Sequence, residues 1–281
     1  MPGSWNTVIS DNNTLTPGWG APAHVRALCT TRKGGASLPP WGTLNLGGHV
    51  NDNPGHVAEN RHRLAAFTGL TPASIGWLGQ VHGTGVVELA PDNVDSMPEA
   101  DASYTRHPRI ACAILTADCL PVILTDTGGT VVGAAHGGWR SLCGGVLENL
   151  ITAMAVPPAN LLAWLGPAIG PDSFEVGPEV REAFLGYNPE AGKAFAPSKQ
   201  RPGYYLANIY QLATQRLRAA GVMSISGGSL CTLNDSDWFF SYRRDGETGR
   251  MATLIWMNGP KAATSPVQGG KDVKSTAPVN S

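Results

Sequence analysis

Two rhythms of apolar and polar positions alternate along this chain, separated by Gly- and Pro-rich breaks. One is short and nearly continuous. Apolar runs at 25–30, 110–116, 121–125, 130–135, 161–165, 222–226 and 252–257 are rich in Val, Ile and Leu and too short for buried helices, which predicts strands. The polar segment Asp126-Thr127-Gly128-Gly129 separates two of them, so those two are expected to be antiparallel neighbours joined by a tight turn.

The other rhythm is helical. Val57 and Leu64 share a face within 54–67, a segment closed by Gly69. Val146, Leu147, Leu150, Ile151 and Met154 form an amphipathic stripe in a helix expected to start near Cys143 and to stop before Pro157-Pro158. A third helix is expected from Pro178, with Glu179 and Glu182 near the positive end of its dipole, and a fourth from Asn208 as N-cap to Gly221 as stop. Helices clustered between strand runs with short turns predict an α+β fold: a mixed β-sheet sandwich with flanking helices, not a regular parallel βαβ array. No glycine pattern follows a strand as GxGxxG or GxxxxGK, which speaks against dinucleotide and P-loop sites.

Residues 1–23 are rich in Asn, Thr, Pro and Gly and are expected to form an irregular arm. Residues 259–281 carry no apolar period and are expected to be a disordered tail, leaving 24–258 as one catalytic unit. With 281 residues, 42% of them hydrophobic, the chain is long enough to bury a large core. A formal charge of −1 and a pI near 6.6 give no basic field, so neither nucleic acid nor an anionic membrane is expected as partner, and a small molecule is. The first residues lack a basic and then apolar leader pattern, and no stretch is long and apolar enough to span a bilayer, so a soluble, cytoplasmic protein is expected. Five scattered cysteines, at 29, 112, 119, 143 and 231, suit reduced thiols better than a disulfide framework.

Three islands carry the chemistry. Gln80-Val81-His82-Gly83, Ala117-Asp118-Cys119-Leu120-Pro121 and Ala135-His136-Gly137-Gly138-Trp139-Arg140 each follow a strand-like run and each offers one soft or borderline ligand. Two imidazoles and a thiolate make a zinc site with a fourth position free for water or substrate. Singly, His82 reads as a hydrogen-bonded loop residue and Cys119 as a small buried hydrophobe. His136 is the more suggestive, because Gly137-Gly138 lets a ligand come close. Asp118 is open to three readings: a strand-end carboxylate, a partner that orients a histidine, or a proton carrier. The guanidiniums of Arg140, Arg243 and Arg244 suit an anionic oxygen, or a carboxylate such as Asp245.

Further motifs run in order over about 25–257: Thr31-Arg32-Lys33-Gly34-Gly35, Leu44-Asn45-Leu46-Gly47-Gly48-His49-Val50, Glu59-Asn60-Arg61, Leu165-Gly166-Pro167-Ala168-Ile169-Gly170-Pro171, Phe174-Glu175-Val176-Gly177 and Phe240-Ser241-Tyr242-Arg243-Arg244-Asp245-Gly246. With the three islands, they resemble the laccase-domain family, once called multicopper polyphenol oxidases and now associated with purine nucleoside phosphorylase activity. The resemblance implies a cysteine-hydrolase-like fold and a zinc held by His82, Cys119 and His136. It also implies phosphorolysis of adenosine, inosine, guanosine and methylthioadenosine with phosphate as co-substrate, and hydrolytic deamination of adenosine, for which zinc would activate water. Asp118 joins the three ligands as a catalytic candidate, and Arg32, Asn45, Arg140 and Arg243 are the substrate-binding candidates. A monomer or small homo-oligomer is expected. The chain departs from the family pattern at Gly137, usually alanine, and at Ser141, usually glycine.

Rival readings follow from the same residues. Multicopper oxidation needs many histidines, often as His-x-His pairs, and this chain has seven histidines and no such pair. Copper in the three-ligand site stays open, because divalent copper outcompetes zinc in raw affinity. A Cys119 nucleophile with a histidine base would instead make an amidase that edits peptidoglycan precursors. A nucleoside-binding module without turnover is the non-enzymatic alternative.

Overall fold

The computed structural model describes residues 7–9 and 13–259. Its strands are, in chain order, β1 (Thr7–Ile9), β2 (Thr14–Pro17), β3 (Val25–Thr30), β4 (Ile75–Gly76), β5 (Val86–Glu88), β6 (Ala102–Thr105), β7 (Ala111–Thr116) and β8 (Leu120–Asp126). They continue with β9 (Val132–Gly137), β10 (Leu161–Leu165), β11 (Glu175–Val176), β12 (Phe195–Pro197), β13 (Tyr205–Ala207), β14 (Ser224–Gly227) and β15 (Met251–Met257). The helices are α1 (Pro54–Thr68), α2 (Trp139–Gly144), α3 (Val146–Met154), α4 (Pro178–Tyr187), α5 (Ile209–Ala219) and α6 (Tyr242–Asp245).

Two six-stranded sheets have the orders β1-β2-β3-β15-β7-β4 and β14-β10-β8-β9-β6-β5, and a small third sheet has the order β11-β13-β12. Most neighbours are antiparallel, but β4 with β7, β5 with β6 and β10 with β14 run parallel. The fold is therefore α+β, with mixed sheets and flanking helices.

Period-two alternation in the central strands sets the layers. In β7, Ala111, Ala113 and Leu115 pack with Leu64 of α1 and with Trp77, while Cys112 and Ile114 face the second sheet and meet Ile123, Val132 and Ala134. In β8, Leu120, Val122 and Leu124 point the other way, into the cluster built with Leu147, Leu150 and Leu212 from α3 and α5. Both faces of each sheet are covered, so the strands read as continuous apolar runs, not as an alternation.

Capping chemistry explains the helix ends. Asn53 accepts from Gly55 N at the start of α1, and Gly69, at φ 68°, ends it in the left-handed region. Asn208 caps α5 by accepting from Gln211 N. The single helix expected from Cys143 is in fact α2 and α3, broken at Gly145, whose φ of 102° a side-chain-bearing residue rarely adopts.

Two further expectations are corrected. The stretch expected to be an irregular arm contains the β1–β2 hairpin, and β2 extends the first sheet by placing Leu15 opposite Cys29. Its runs are too short to stand out from the surrounding turn-forming residues. The strand expected from Thr130 begins at Val132, because the N–H groups of Thr130 and Val131 donate to the Asp126 carboxylate in the turn. The tail expected at 259–281 lies, after Gly259, outside the described residues.

One connection positions the site. β7 and β8 are separated by residues 117–119 alone, yet they belong to different sheets. Asp118, at φ 91°, takes the chain across. Cys119 is thereby delivered to the junction of the two sheets, next to the end of β9.

Candidate metal centre

Each of the three islands arrives by a different route. His136 lies within β9 opposite Pro121, and Leu120 lies opposite Gly137, so Cys119 meets the Gly137-Gly138 turn. His82 comes from a loop and has a left-handed φ of 59°. That loop is anchored twice. The Gln80 side chain donates to Leu115 O and accepts from Leu115 N, both at 2.8 Å, mimicking a strand partner for β7. The Asp101 carboxylate accepts from the N–H groups of Val81 (3.2 Å), His82 (3.0 Å) and Gly83 (2.6 Å).

The candidate ligand atoms of His82, Cys119 and His136 all lie within 4.8 Å of one another, and no other such group of three occurs among the described residues. The two imidazoles meet edge to face, with centroids 4.7 Å apart. His136 is buried, and its Nδ1 donates to Asp101 Oδ1 at 2.8 Å, leaving Nε2 as the ligand atom. Burial, then the neighbouring His136, makes His82 harder to protonate than an ordinary histidine, which suits a neutral ligand. At His136 burial also opposes the charge. The Coulombic pull of Cys119 and the hydrogen bonds to Asp101 and Cys119 outweigh it and raise the imidazole to about 9.

The donor set fits a metal ion. Two imidazoles and a thiolate are ligands that zinc takes at about 2.0–2.3 Å, and atoms within 4.8 Å of one another are near enough to share one ion. The turn is shaped for it, because a Cβ added to Gly138 would lie 2.6 Å from His82 Nδ1 and 3.3 Å from Cys119 Sγ. Gly137 is equally constrained in this chain: a Cβ there would approach Leu120 O to 2.8 Å. Ser141 is fully buried in α2, and its Oγ has no hydrogen-bond partner among the described residues.

These residues open onto a cavity of about 560 Å³, also lined by Gln80, Asp118, Trp139, Arg140, Phe174 and Arg243. Asp118 lines it, but both carboxylate oxygens are engaged: Oδ1 accepts from Thr232 Oγ1 at 2.6 Å and Oδ2 from Arg243 N at 2.7 Å. Among the roles left open for it, the geometry favours positioning. Arg140 is exposed, with its guanidinium 4.4 Å from the centroid of the Trp139 ring. The Arg243 Nη1 donates to Glu175 O at 3.0 Å.

Arg32 and Asn45 do not line this cavity. Arg32 donates to the carbonyls of Gly42 and Ser236 and lies over Phe240, tying loops together. Asn45 is fully buried and bonds to Gly47, Asp52 and Arg250 N. Asp101 carries a single signal in the sequence, an acid placed immediately before the start of β6, and was not among the expected site residues. His49 and Tyr242, from the motifs around Asn45 and Arg243, also line the cavity, as does Arg250 just before β15.

Fold and site together define an α+β sandwich with, among the described residues, one candidate metal centre at the junction of its sheets. A family model described as multi-copper polyphenol oxidoreductase laccase matches residues 26–258, and the chain belongs to that family. It is 53% identical to the purine nucleoside phosphorylase YfiH of Escherichia coli, over 86% of this chain and 98% of that one. It is 52% identical to a purine nucleoside phosphorylase of Pseudomonas aeruginosa, over 88% and 99% respectively. Among solved structures, a DUF152-family protein of Neisseria meningitidis superposes with a TM-score of 0.83 at 49% identity, covering 88% of this chain and 100% of that one. YlmD of Geobacillus stearothermophilus superposes with a TM-score of 0.82 at 29% identity, covering 91% and 100%.

Proposed function

We propose that the protein is a purine nucleoside phosphorylase acting on adenosine, inosine, guanosine and methylthioadenosine, with phosphate as co-substrate and adenosine deamination as a side activity. The observation that carries this reading is the cavity that joins the His82, Cys119 and His136 cluster to Arg140 and Arg243, in a chain about half identical to proteins named for that activity. The cavity volume of about 560 Å³ is in the range of about 300–1,000 Å³ usual for small-molecule sites.

In phosphorolysis a phosphate oxygen forms a bond to the ribose C1′ while the glycosidic bond breaks, its electron pair leaving with the purine. Guanidiniums at the cavity wall hold the phosphate against that carbon, and the flat faces of Trp139, Phe174 and Tyr242 suit the base. His82, Cys119 and His136 would hold zinc, which supplies Lewis acidity when bound. Asp101 fixes the tautomer and orientation of His136, and Asp118 locks the intersheet loop to Thr232 and to the start of α6. In deamination water takes the place of phosphate, attacking the purine carbon that bears the amino group, and ammonia leaves.

A second reading has one observation in its favour. Cys119, His136 and Asp101 also form a nucleophile, base and orienting carboxylate in sequence, the arrangement of a Cys-His amidase. Zinc on the thiolate would suppress that nucleophile. The test is to incubate metal-quantified protein with adenosine, with and without phosphate, and to identify the products. Adenine and ribose 1-phosphate that appear with phosphate alone support phosphorolysis, and inosine in either case supports deamination. Neither product, from protein that binds adenosine, would leave a binding module; stoichiometric absence of metal would move the weight to the amidase.

A further inference from the structure

Three arginines line the main cavity, Arg140, Arg243 and Arg250, and among the described residues none of them is ion-paired with a carboxylate. A second cavity of about 290 Å³ shares His49, Tyr242 and Arg250 with the first, so these residues stand where the two meet. Burial opposes the Arg250 charge and outweighs Asp118, which is near enough to favour it, and no carboxylate of the two walls forms an ion pair with any of the three. Asp118 is engaged by Thr232 and the Arg243 main chain, and Glu247 is an exposed residue of the smaller cavity.

Arg250 is the most firmly built of the three. Its N–H donates to Asn45 Oδ1 at 2.9 Å, and its carbonyl accepts from Leu46 N at 3.2 Å. Its Nη1 donates to Thr248 O at 2.9 Å and to Gly249 O at 3.0 Å. Its aliphatic stem runs over Gly47, where an added Cβ would lie 2.8 Å from Arg250 Cγ. Asn45 is held in turn by Asp52 Oδ2, at 2.9 Å, and by Asn60 Nδ2, which donates to Asn45 O at 2.8 Å. The buried amides of the Leu44–Val50 and Glu59–Arg61 motifs thus fix one arginine stem.

What this scaffold leaves unused is the Nε and Nη2 edge, which makes no hydrogen bond among the described residues. Those two N–H groups form the planar fork that matches two oxygens of one phosphate. A half-buried guanidinium without a carboxylate is costly until an anion completes it. His49 lines both cavities with Arg250, and burial first, then the Arg250 charge, opposes its protonation.

We propose that Arg250, with His49 beside it, seats a phosphate dianion at the junction of the two cavities. Arg250 is the inner fork and the more exposed Arg243 the outer one. For its preferred source, free inorganic phosphate, the assignment rests on the phosphorolytic reading; the 5′-phosphate of a nucleoside monophosphate presents the same oxygens.

The test is isothermal titration of inorganic phosphate, and separately of adenosine 5′-monophosphate, into the purified full-length protein and its Arg250→Gln, Arg250→Lys and Gly47→Ala variants. Arg250→Gln is expected to weaken phosphate binding about tenfold to a hundredfold, with Arg250→Lys intermediate because it keeps the charge and loses the fork. Gly47→Ala pushes on the stem without removing charge and is expected to shift affinity in the same direction, which covers the case of an Arg250 variant that fails to fold. Weakening confined to phosphate identifies free phosphate as the occupant, and weakening of the monophosphate identifies the ester; either supports the site. Unchanged affinity for both ligands in Arg250→Gln, or no binding of either by the wild type, overturns it. Phosphorolysis with an unaltered phosphate KM in Arg250→Gln would refute this inference alone, whereas phosphate binding lost in that variant without any wild-type turnover would refute the phosphorylase reading alone.

Discussion

Asp101 Oδ1 lies 2.8 Å from His136 Nδ1, and the same fully buried carboxylate gathers the N–H groups of Val81, His82 and Gly83. One side chain thereby orients one candidate ligand and holds the loop that carries another. Burial by itself would push the Asp101 carboxyl up, but the hydrogen bonds from His136 and Gly83 bring it below the usual carboxylate range, so it remains an acceptor. Asp101→Asn keeps the shape and loses half the acceptor capacity. Zinc affinity is expected to fall about 10- to 100-fold, as for other partners of metal-binding histidines, read by chelator competition on folded protein. Wild-type affinity in this variant would remove Asp101 from the support of the metal site.

Residues before Ala23 are expected to contribute to stability, contrary to the appearance of an irregular arm. Leu15 is completely buried in the intersheet cluster with Cys29, Ile114 and Ile255, and Thr31 Oγ1 donates to Asn13 O at 2.8 Å. Leu15→Ala is expected to cost about 2–5 kcal/mol, the range for deleting a buried leucine side chain. Denaturant titration measures it, and a loss near zero would show that β2 is an ornament on the sheet edge.

The strands and helices that were legible from sequence are those with a long, unbroken apolar rhythm or distinct end residues. β7, β8, β10 and β15 announce themselves because burial on a sheet face leaves a local pattern, while α1 and α5 are marked by their boundary residues, Gly69 and Asn208. Three features left no such trace. The β1–β2 hairpin is short, Gly145 breaks a helix within an intact apolar stripe, and β7 and β8 look like a hairpin yet join different sheets. The last is a tertiary decision taken at Asp118. In the site, the clustering of His82, Cys119 and His136 was legible because such side chains stand out in glycine-rich loops. Asp101 was not, because a lone carboxylate gains its meaning from partners 18 to 35 residues away. Arg32 and Asn45 carried the right motifs but lie outside the cavity lining and hydrogen-bond to neighbouring loops, a placement that only packing reveals.

Stability should depend on acid through the β8–β9 turn. Burial raises the Asp126 carboxyl, but donation from the N–H groups of Val131 and Thr130 and from the Thr130 hydroxyl outweighs it and lowers the carboxyl below the usual range. A group depressed in the folded state binds fewer protons there than when unfolded. Its contribution is therefore present above the unfolded carboxylate range, near about 4, and is lost as pH falls through the lower folded value. Asp126→Asn is expected to be less stable than wild type at neutral pH, by about 1–3 kcal/mol for the charge-assisted bonds, with the gap closing in acid. Parallel stability curves for the two proteins from pH 7 to pH 3 would contradict this assignment.

Arg243 separates into two functions that one substitution can pull apart. Its main-chain N–H holds Asp118 Oδ2 at 2.7 Å, while its side chain reaches Glu175 O through Nη1 and keeps its guanidinium carbon 5.7 Å from the centroid of the Phe174 ring. Arg243→Lys leaves the first contact intact, so the intersheet loop, the fold and the metal content are expected to be unchanged. The planar fork is lost. If the guanidinium holds an anionic or ribose oxygen in the cavity, kcat/KM for phosphate-dependent turnover should fall by about tenfold or more, since lysine offers a point charge where two aligned donors stood. Kinetics across a phosphate titration, with zinc content and melting temperature measured on the same preparations, decide it. Wild-type kinetics at every phosphate concentration would make Arg243 a brace for the Glu175 carbonyl and leave the anion to the other arginines of the wall.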